Sequence, residues 1–398
     1  MIELSYRSKI IPPSPIRKLV PLAEKAKQRG IRVYHLNIGQ PDLPTPEVAL
    51  KAVKENNLKI IEYGHSAGNY SYRKKLTNYY KKFDIQIEPE DIIITNGGSE
   101  AILFAFLVCL NPGDEVIVLE PYYANYNGFA VQTGVNIVPI TTSIKNDFAL
   151  PSIDKFEEVI TNKTKAILIC NPNNPTGYLY SKEELDKLAY IVKKHNLFLL
   201  ADEVYREFCY DGYKHISVMT LKGIEEQVVM LDSVSKRYSM CGVRIGALVT
   251  RNKDIIESTL KFAQARLCPP AYGQIAAEAA LDTPQEYFDY IYNEYKERRD
   301  IMVNLLNSIP GVYSPLPKGA FYTVASFPID DADKFCEWLL SEFSYQNQTV
   351  MMAPASGFYS NPSSGKNECR LAYVLNKEDI KNAIKVLEEA LKVYPNKT

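Results

Sequence analysis

The chain has 398 residues, with 46 Lys plus Arg against 47 Asp plus Glu and a formal net charge of -1. That length fits about two domains rather than one core, and a 46% hydrophobic content excludes global disorder. Near-neutrality leaves no electrostatic footprint for nucleic acid or for a polybasic membrane surface.

The amino-terminal MIELSYRSKI lacks the continuous apolar region of a signal peptide. A proline-marked helical stretch is expected from Pro15 to Gln28, with Gly30 as its stop and Pro21 kinking it or opening its second half. A short strand in VYHLNIGQ then runs into a Gly/Pro/Asp loop. From about residue 75, short apolar strands alternate with helical patterns. The strands are Ile92–Thr95, Val116–Leu119, Ile137–Ile140, Ala166–Cys170, Phe198–Ala201, Val228–Leu231 and Ile245–Thr250. Continuously apolar strands of this length are covered on both faces. The helices between them include Glu100–Leu110, Ser181–His195 and Lys253–Gln264. The fold class is therefore α/β, a three-layer α/β/α domain with a mostly parallel sheet. A long helical pattern near 285–306 reads as a linker. After it, GAFYTVASFP, ADKFCEWLLSEF, RLAYVL and KEDIKNAIKVLEEALKVY alternate strand and helix as a smaller α+β unit. The expected division is a large domain over 46–290 and a small one built from 1–45 and 291–398.

No apolar run approaches the roughly 20 residues needed to cross a bilayer. Seven Cys without a CxxC, mostly in apolar runs, read as buried small hydrophobes of a reducing compartment, which fits the cytoplasm. Four scattered His form no metal-ligand cluster, so no metal is expected. Twenty-eight Tyr stand against one Trp, and such polar-tipped rings suit partly polar pockets and interfaces.

GxGxxG after a strand, GxxxxGK[ST] and GxSxG are all absent. What is present is a set of groups for binding phosphate and activating a carbonyl. Gly97-Gly98-Ser99 sits at a strand-to-helix junction, where free backbone N–H groups can hold a phosphate. Asn171-Pro172-Asn173-Asn174-Pro175-Thr176-Gly177 aims amides at a strand end, and Ser181 with Glu184 reads as a capping box. Asp202 and Tyr205 follow an apolar strand, a ligand-facing position in such sheets, although Asp also suits a helix cap. In SVSKRYSMCGVRIG, Ser233, Lys236 and Arg244 follow another strand. A desolvated Lys there has a lowered pKa and suits Schiff-base chemistry. Arg370 opens RLAYVL, and Arg is the bidentate clamp for a carboxylate.

Taken in order and spacing, NIGQPDLPTP, YGHSAG, TNGGSEA, EPYYANY, NPNNPTG, ADEVY, SVSKRYSMCGVRIG, PKGAFY and CRLAYV resemble the class I/II aminotransferases of pyridoxal 5'-phosphate (PLP) fold type I. The resemblance runs from about Pro15 to Tyr394, and the pattern is most similar to prokaryotic aspartate aminotransferases. It implies that Lys236 holds PLP as a Schiff base and later shuttles the α-proton. It implies that Asp202 pairs with the pyridine N–H, that Asn174 and Tyr205 bond the ring oxygen, and that Tyr123 rather than Tyr122 stacks on the ring. Gly98, Ser99, Ser233 and Arg244 are implied as phosphate holders, and Tyr63 as a residue reaching the partner subunit's cofactor in a homodimer with shared active sites. Arg370, with Asn174 and the Gly39 backbone, is implied as the clamp for the substrate α-carboxylate. The implied reaction moves an amino group from an L-amino acid, aspartate by pattern, to a 2-oxoacid, 2-oxoglutarate, by ping-pong chemistry. Donors with neutral or aromatic side chains, and a C–S lyase on the same fold, are the alternatives. The late loop APASGFYSNPSSGKNECR departs from the family's usual form. No residue matches a clamp for a side-chain carboxylate; Arg237 and Arg266 stay unassigned, with Arg266 read as structural.

Overall fold

A computed structural model of the chain describes residues 2–361 and 363–397; Met1, Pro362 of the late loop and Thr398 lie outside it. The strands in chain order are β1 Arg32–His35, β2 Ile92–Thr95, β3 Glu115–Glu120, β4 Asn136–Thr141, β5 Thr164–Cys170, β6 Phe198–Asp202, β7 Val228–Ser233, β8 Gly246–Val249, β9 Tyr322–Ser326, β10 Gln348–Met351, β11 Ala353–Pro354 and β12 Glu368–Ala372.

Seven of them form one sheet in the order β2-β8-β7-β6-β5-β3-β4. All pairings are parallel except those of β8, which runs antiparallel to both β2 and β7. Alternation along each strand sends side chains to two separate cores. Ile167, Ile169, Leu199 and Met230 pack into one, and Leu168, Leu200, Val229 and Leu231 into the other. This two-sided burial is why the strands read as unbroken apolar runs. β3 is followed across the sheet by β4 on one side and β5 on the other. The strand order reverses there, which opens a crevice at the carboxyl ends.

The second unit is smaller. β1 pairs in parallel with β10, Arg32 opposite Gln348, and β11-β12-β9 form an antiparallel sheet with Arg370 opposite Val324. The helix Gln285–Asn307 packs against Lys377–Val393. Its tyrosines divide by helical face. Tyr295 is buried against Phe321 and Phe208, Tyr287 donates to the Pro44 carbonyl at 2.9 Å, and Tyr290 is exposed.

The amino-terminal helix is shorter than its sequence pattern. Residues 15–19 are turns, and the helix spans Val20–Gln28 with Pro21 in its first turn. A proline ring cannot follow a helical carbonyl four residues earlier, so Pro21 opens the helix rather than kinking a longer one. The capping box forms at Lys182–His195: the Glu184 N–H donates to Ser181 Oγ at 3.2 Å, and the Ser181 N–H donates to Glu184 Oε2 at 2.8 Å. All seven cysteines are free, five of them buried. No helix among the described residues is long and apolar enough to cross a membrane.

Candidate active site

The carboxyl ends of the main sheet, the loop after β1 and the start of β12 enclose a cavity of about 630 Å³. Every residue singled out from the sequence as a site residue lines it except Tyr63, which is 79% exposed on the surface.

One end of the cavity is built from donors. The helix Gly98–Cys109 begins there, and its first-turn N–H groups have no helical acceptor. Gly97 has a φ of 77°, and a Cβ on it would stand 2.3 Å from Arg244 Nη2, so only glycine lets the guanidinium approach. Arg244 donates to the carbonyls of Cys241 at 2.9 Å and Asn96 at 3.3 Å. Ser99 and the Ser233 and Ser235 hydroxyls complete a set that matches a phosphate dianion.

At the middle lies Asp202, fixed by its place at the end of β6. Its carboxylate accepts from Tyr126 Oη at 3.0 Å and from the Val204 N–H at 3.4 Å. Burial pushes its pKa up to about 6 against the pull of Tyr126, Val204 and Lys236. Tyr123 lines the cavity and meets Tyr126 edge-on, with ring centroids 5.5 Å apart. Tyr122 instead turns inward to Asn127 and Ser360. Lys236 Nζ donates to the Gly39 carbonyl at 3.0 Å, and burial lowers its pKa, so the reactive neutral amine is accessible. The Tyr205 and Tyr322 hydroxyls are 2.9 Å apart. A Cβ on Gly39 would lie 1.7 Å from Tyr322 Oη, so the loop after β1 reaches the site only as glycine.

At the far end Arg370 is fully buried. Its Nη1 donates to Asn174 Oδ1 at 3.1 Å and its Nη2 to the Asn37 carbonyl, while its Nε has no partner. It lies over the rings of Tyr322 and Phe358. A buried guanidinium with no carboxylate beside it is an anion site.

These groups fit PLP. The phosphate would meet these donors, a ring N–H would meet Asp202, the ring oxygen would meet Asn174 and Tyr205, and an aldehyde would meet Lys236. The orphaned Arg370 Nε and the raised Asp202 both mark charges that the protein alone leaves unmatched.

The two unassigned arginines point elsewhere. Arg237 grips Asp232 with both terminal nitrogens, at 2.7 and 3.0 Å, beneath the cavity floor. Arg266 donates to the Ile94 carbonyl and approaches Glu100. The sequence reading missed Tyr126, Tyr322, Ser235 and Arg17, all at or beside the site. Tyr126 follows Tyr123 by three residues and donates its N–H to the Tyr123 carbonyl at 2.9 Å in the turn that opens the helix Asn125–Thr133. Tyr322 ends PKGAFY, a motif that carried no role until the fold set it against Gly39.

The family profile of the class I and II aminotransferases matches residues 31–387. An aspartate aminotransferase of Thermotoga maritima is 32% identical over 95% of this chain and 97% of its own. An aromatic-amino-acid aminotransferase of Thermococcus litoralis is 32% identical over 98% and 99%. Among solved structures, an alanine aminotransferase of Pyrococcus furiosus superposes with a TM-score of 0.90 at 31% identity, covering 98% of this chain and all of that one. With its seven-stranded sheet, its cavity and this near-complete match, the chain belongs to the class I and II aminotransferases, PLP-dependent enzymes of fold type I.

Proposed function

We propose that the cavity transfers the amino group of aspartate to 2-oxoglutarate in two half-reactions, with PLP held on Lys236. One observation carries the transamination: a buried amine, a buried carboxylate in no salt bridge and a buried guanidinium without an anion face one cavity beside a phosphate-sized cluster of donors; aspartate and 2-oxoglutarate rest on the similarity to aspartate aminotransferases. Bound PLP supplies the electron sink that makes loss of an α-proton feasible. Arg370 and Asn174 orient the substrate through its α-carboxylate, placing its α-carbon toward Lys236. With PLP bound, Lys236 would hold the cofactor aldehyde, and its Nζ, whose pKa burial lowers, would be the base that takes up and returns the substrate α-proton. Asp202 keeps the ring nitrogen protonated, and Tyr126 holds the Asp202 carboxylate in place. Tyr205, backed by Tyr322, tunes the ring oxygen.

Exposed Leu58, Ile60, Ile61 and Tyr63 form an apolar edge that suits a second copy of the chain, with Tyr63 reaching the partner's phosphate group. Residues 46–290 then act as the cofactor domain, and both chain ends form the smaller unit that brings Arg370. In the test, Lys236→Ala is assayed with aspartate and 2-oxoglutarate. Wild type is expected to be yellow and active and the variant inactive; full activity in the variant would reject the assignment. Turnover without any 2-oxoacid would favour the C–S lyase reading instead.

A further inference from the structure

Four cations line the cavity: Arg17, Lys236, Arg244 and Arg370, against the single acid Asp202. Three of them have work in the proposed transamination. Lys236 holds the cofactor, Arg244 the phosphate and Arg370 the α-carboxylate. Arg17 has none. Among the described residues its guanidinium, at the exposed mouth of the cavity, makes no salt bridge and no hydrogen bond, although the other three donate to carbonyls or amides of the protein.

The turn bearing Arg17 is nevertheless firmly built. Its N–H donates to the Ser14 carbonyl at 3.1 Å. The next residue, Lys18, pairs with Asp333. Pro15 packs so closely on Gly357 that a Cβ there would lie 2.2 Å away. Most telling is Asn37, which is fully buried. Its side chain donates to the Ile16 carbonyl at 2.9 Å, and its own carbonyl accepts from Arg370 Nη2. One residue therefore anchors both the α-carboxylate clamp and the turn that presents Arg17. This ties Arg17 to the substrate end of the cavity rather than to the phosphate end, where Arg244 and the start of Gly98–Cys109 stand.

Resting on the assignment of this cavity as a transamination site, we propose that Arg17 binds the side-chain carboxylate of a dicarboxylic substrate. It would thereby select four- and five-carbon acidic amino acids and their 2-oxoacids. A neutral or aromatic side chain would leave the guanidinium with water alone. An acidic side chain gains a charge-assisted pair. With Arg370 at the α-carboxylate, the two arginines read the two ends of one dicarboxylate.

The test uses the PLP-loaded enzyme and follows the donor half-reaction by the cofactor's visible absorbance. Aspartate, glutamate, alanine and phenylalanine are compared in wild type, Arg17→Gln and Arg17→Lys, and binding of the unreactive dicarboxylate succinate is titrated in each. The aspartate-over-alanine ratio of second-order rate constants is expected to fall about 100-fold in Arg17→Gln. The loss should lie in the apparent dissociation constant rather than the maximal rate, and succinate binding should weaken in step. Arg17→Lys should recover part of it by restoring the charge without the fork. An unchanged ratio, or equal losses for aspartate and alanine, would overturn the role of Arg17. A wild type that favours alanine or phenylalanine would overturn the dicarboxylate class and leave transamination standing. A wild type inert to all four amino acids would remove the transaminase assignment itself.

Discussion

Two aspartates at the ends of adjacent strands, Asp202 on β6 and Asp232 on β7, are both buried and titrate in opposite directions. Burial pushes Asp202 up to about 6. For Asp232 burial acts the same way, but Arg206 and Arg237 outweigh it and hold the carboxyl at about 2. Asp232 accepts from both Arg237 nitrogens, from Tyr80 Oη at 2.7 Å and from the Ser233 N–H at 2.8 Å, with Arg206 at 3.4 Å. Asp202 has one phenol and one amide. The pattern extends to their chain neighbours. Asp202, Ser233 and Lys236 face the cavity; Glu203, Asp232 and Arg237 turn inward to a network closed by Arg206, Ser217 and the Val218 N–H. Within the inward row the Asp232–Arg237 pair satisfies its charge inside the protein, while burial pushes Glu203 up to about 7 despite Arg206, the Val218 N–H and Ser217; in the cavity row Asp202 makes no salt bridge. The rigid row supports the reactive one, because each inward residue is bonded in the chain to a cavity residue.

Breaking the inward row should give the largest effect. Asp232→Ala strands Arg237 without its two-pronged carboxylate and leaves Arg206 with Glu203 alone, and losing one partner of a buried pair costs about 3–5 kcal/mol. Urea unfolding of the cofactor-free protein should show that loss in Asp232→Ala and far less in Asp202→Ala, which removes a carboxylate that has no cation. Equal losses in the two variants would erase the distinction between the rows.

Much of this was legible in the sequence, and what was not has a physical reason. The strands were readable because two-sided burial leaves only apolar residues on them, as in Ala166–Cys170 and Val228–Leu231. The cavity residues were readable because their motifs sit at strand ends. Arg237 was not, since its partner is five residues away and nothing local says whether an Arg beside Lys236 turns to solvent or inward. Asp232 held a clue: an acid closing an entirely apolar strand must find a cation when buried. Arg17 was opaque for a different reason. Its turn belongs to the amino-terminal segment, and only the Asn37 bridge to Arg370, across 333 residues of chain, brings it to the site.

The next effect belongs to the cavity row. Asp202→Asn keeps the shape but cannot hold a ring nitrogen protonated. Its kcat should fall by about 10²- to 10³-fold, the scale for losing one placed electrostatic partner. Stability of the cofactor-free protein should hold or rise. A variant within a few-fold of wild-type kcat would mean that Asp202 meets no cation in the working enzyme. A smaller change follows at Tyr126→Phe, which deletes one hydrogen bond to the same carboxylate. A loss of about 10-fold in kcat is expected, with cofactor affinity reduced. A loss as large as that of Asp202→Asn would make Tyr126 more than a positioning residue.

The smallest effect is a slope, and it tests the comparison most directly because its sign differs between the two aspartates. Asp232 has a folded pKa near 2 and an ordinary unfolded value of 3.8, so its contribution is full above about pH 4 and is lost as pH falls toward 2. Asp202 has a folded pKa near 6, so its contribution in the cofactor-free protein is full below about pH 4 and is lost as pH rises through 6. Each slope is at most about 1.4 kcal/mol per pH unit, the value for one proton. Wild type should therefore gain on Asp232→Asn as pH rises from 2 to 4, and lose ground to Asp202→Asn as pH rises from 4 to 6. Saturating PLP gives Asp202 its cation and should remove the second slope while leaving the first. Slopes of the same sign, or a second slope that survives PLP, would show that the two carboxylates do not differ in the way their partners dictate.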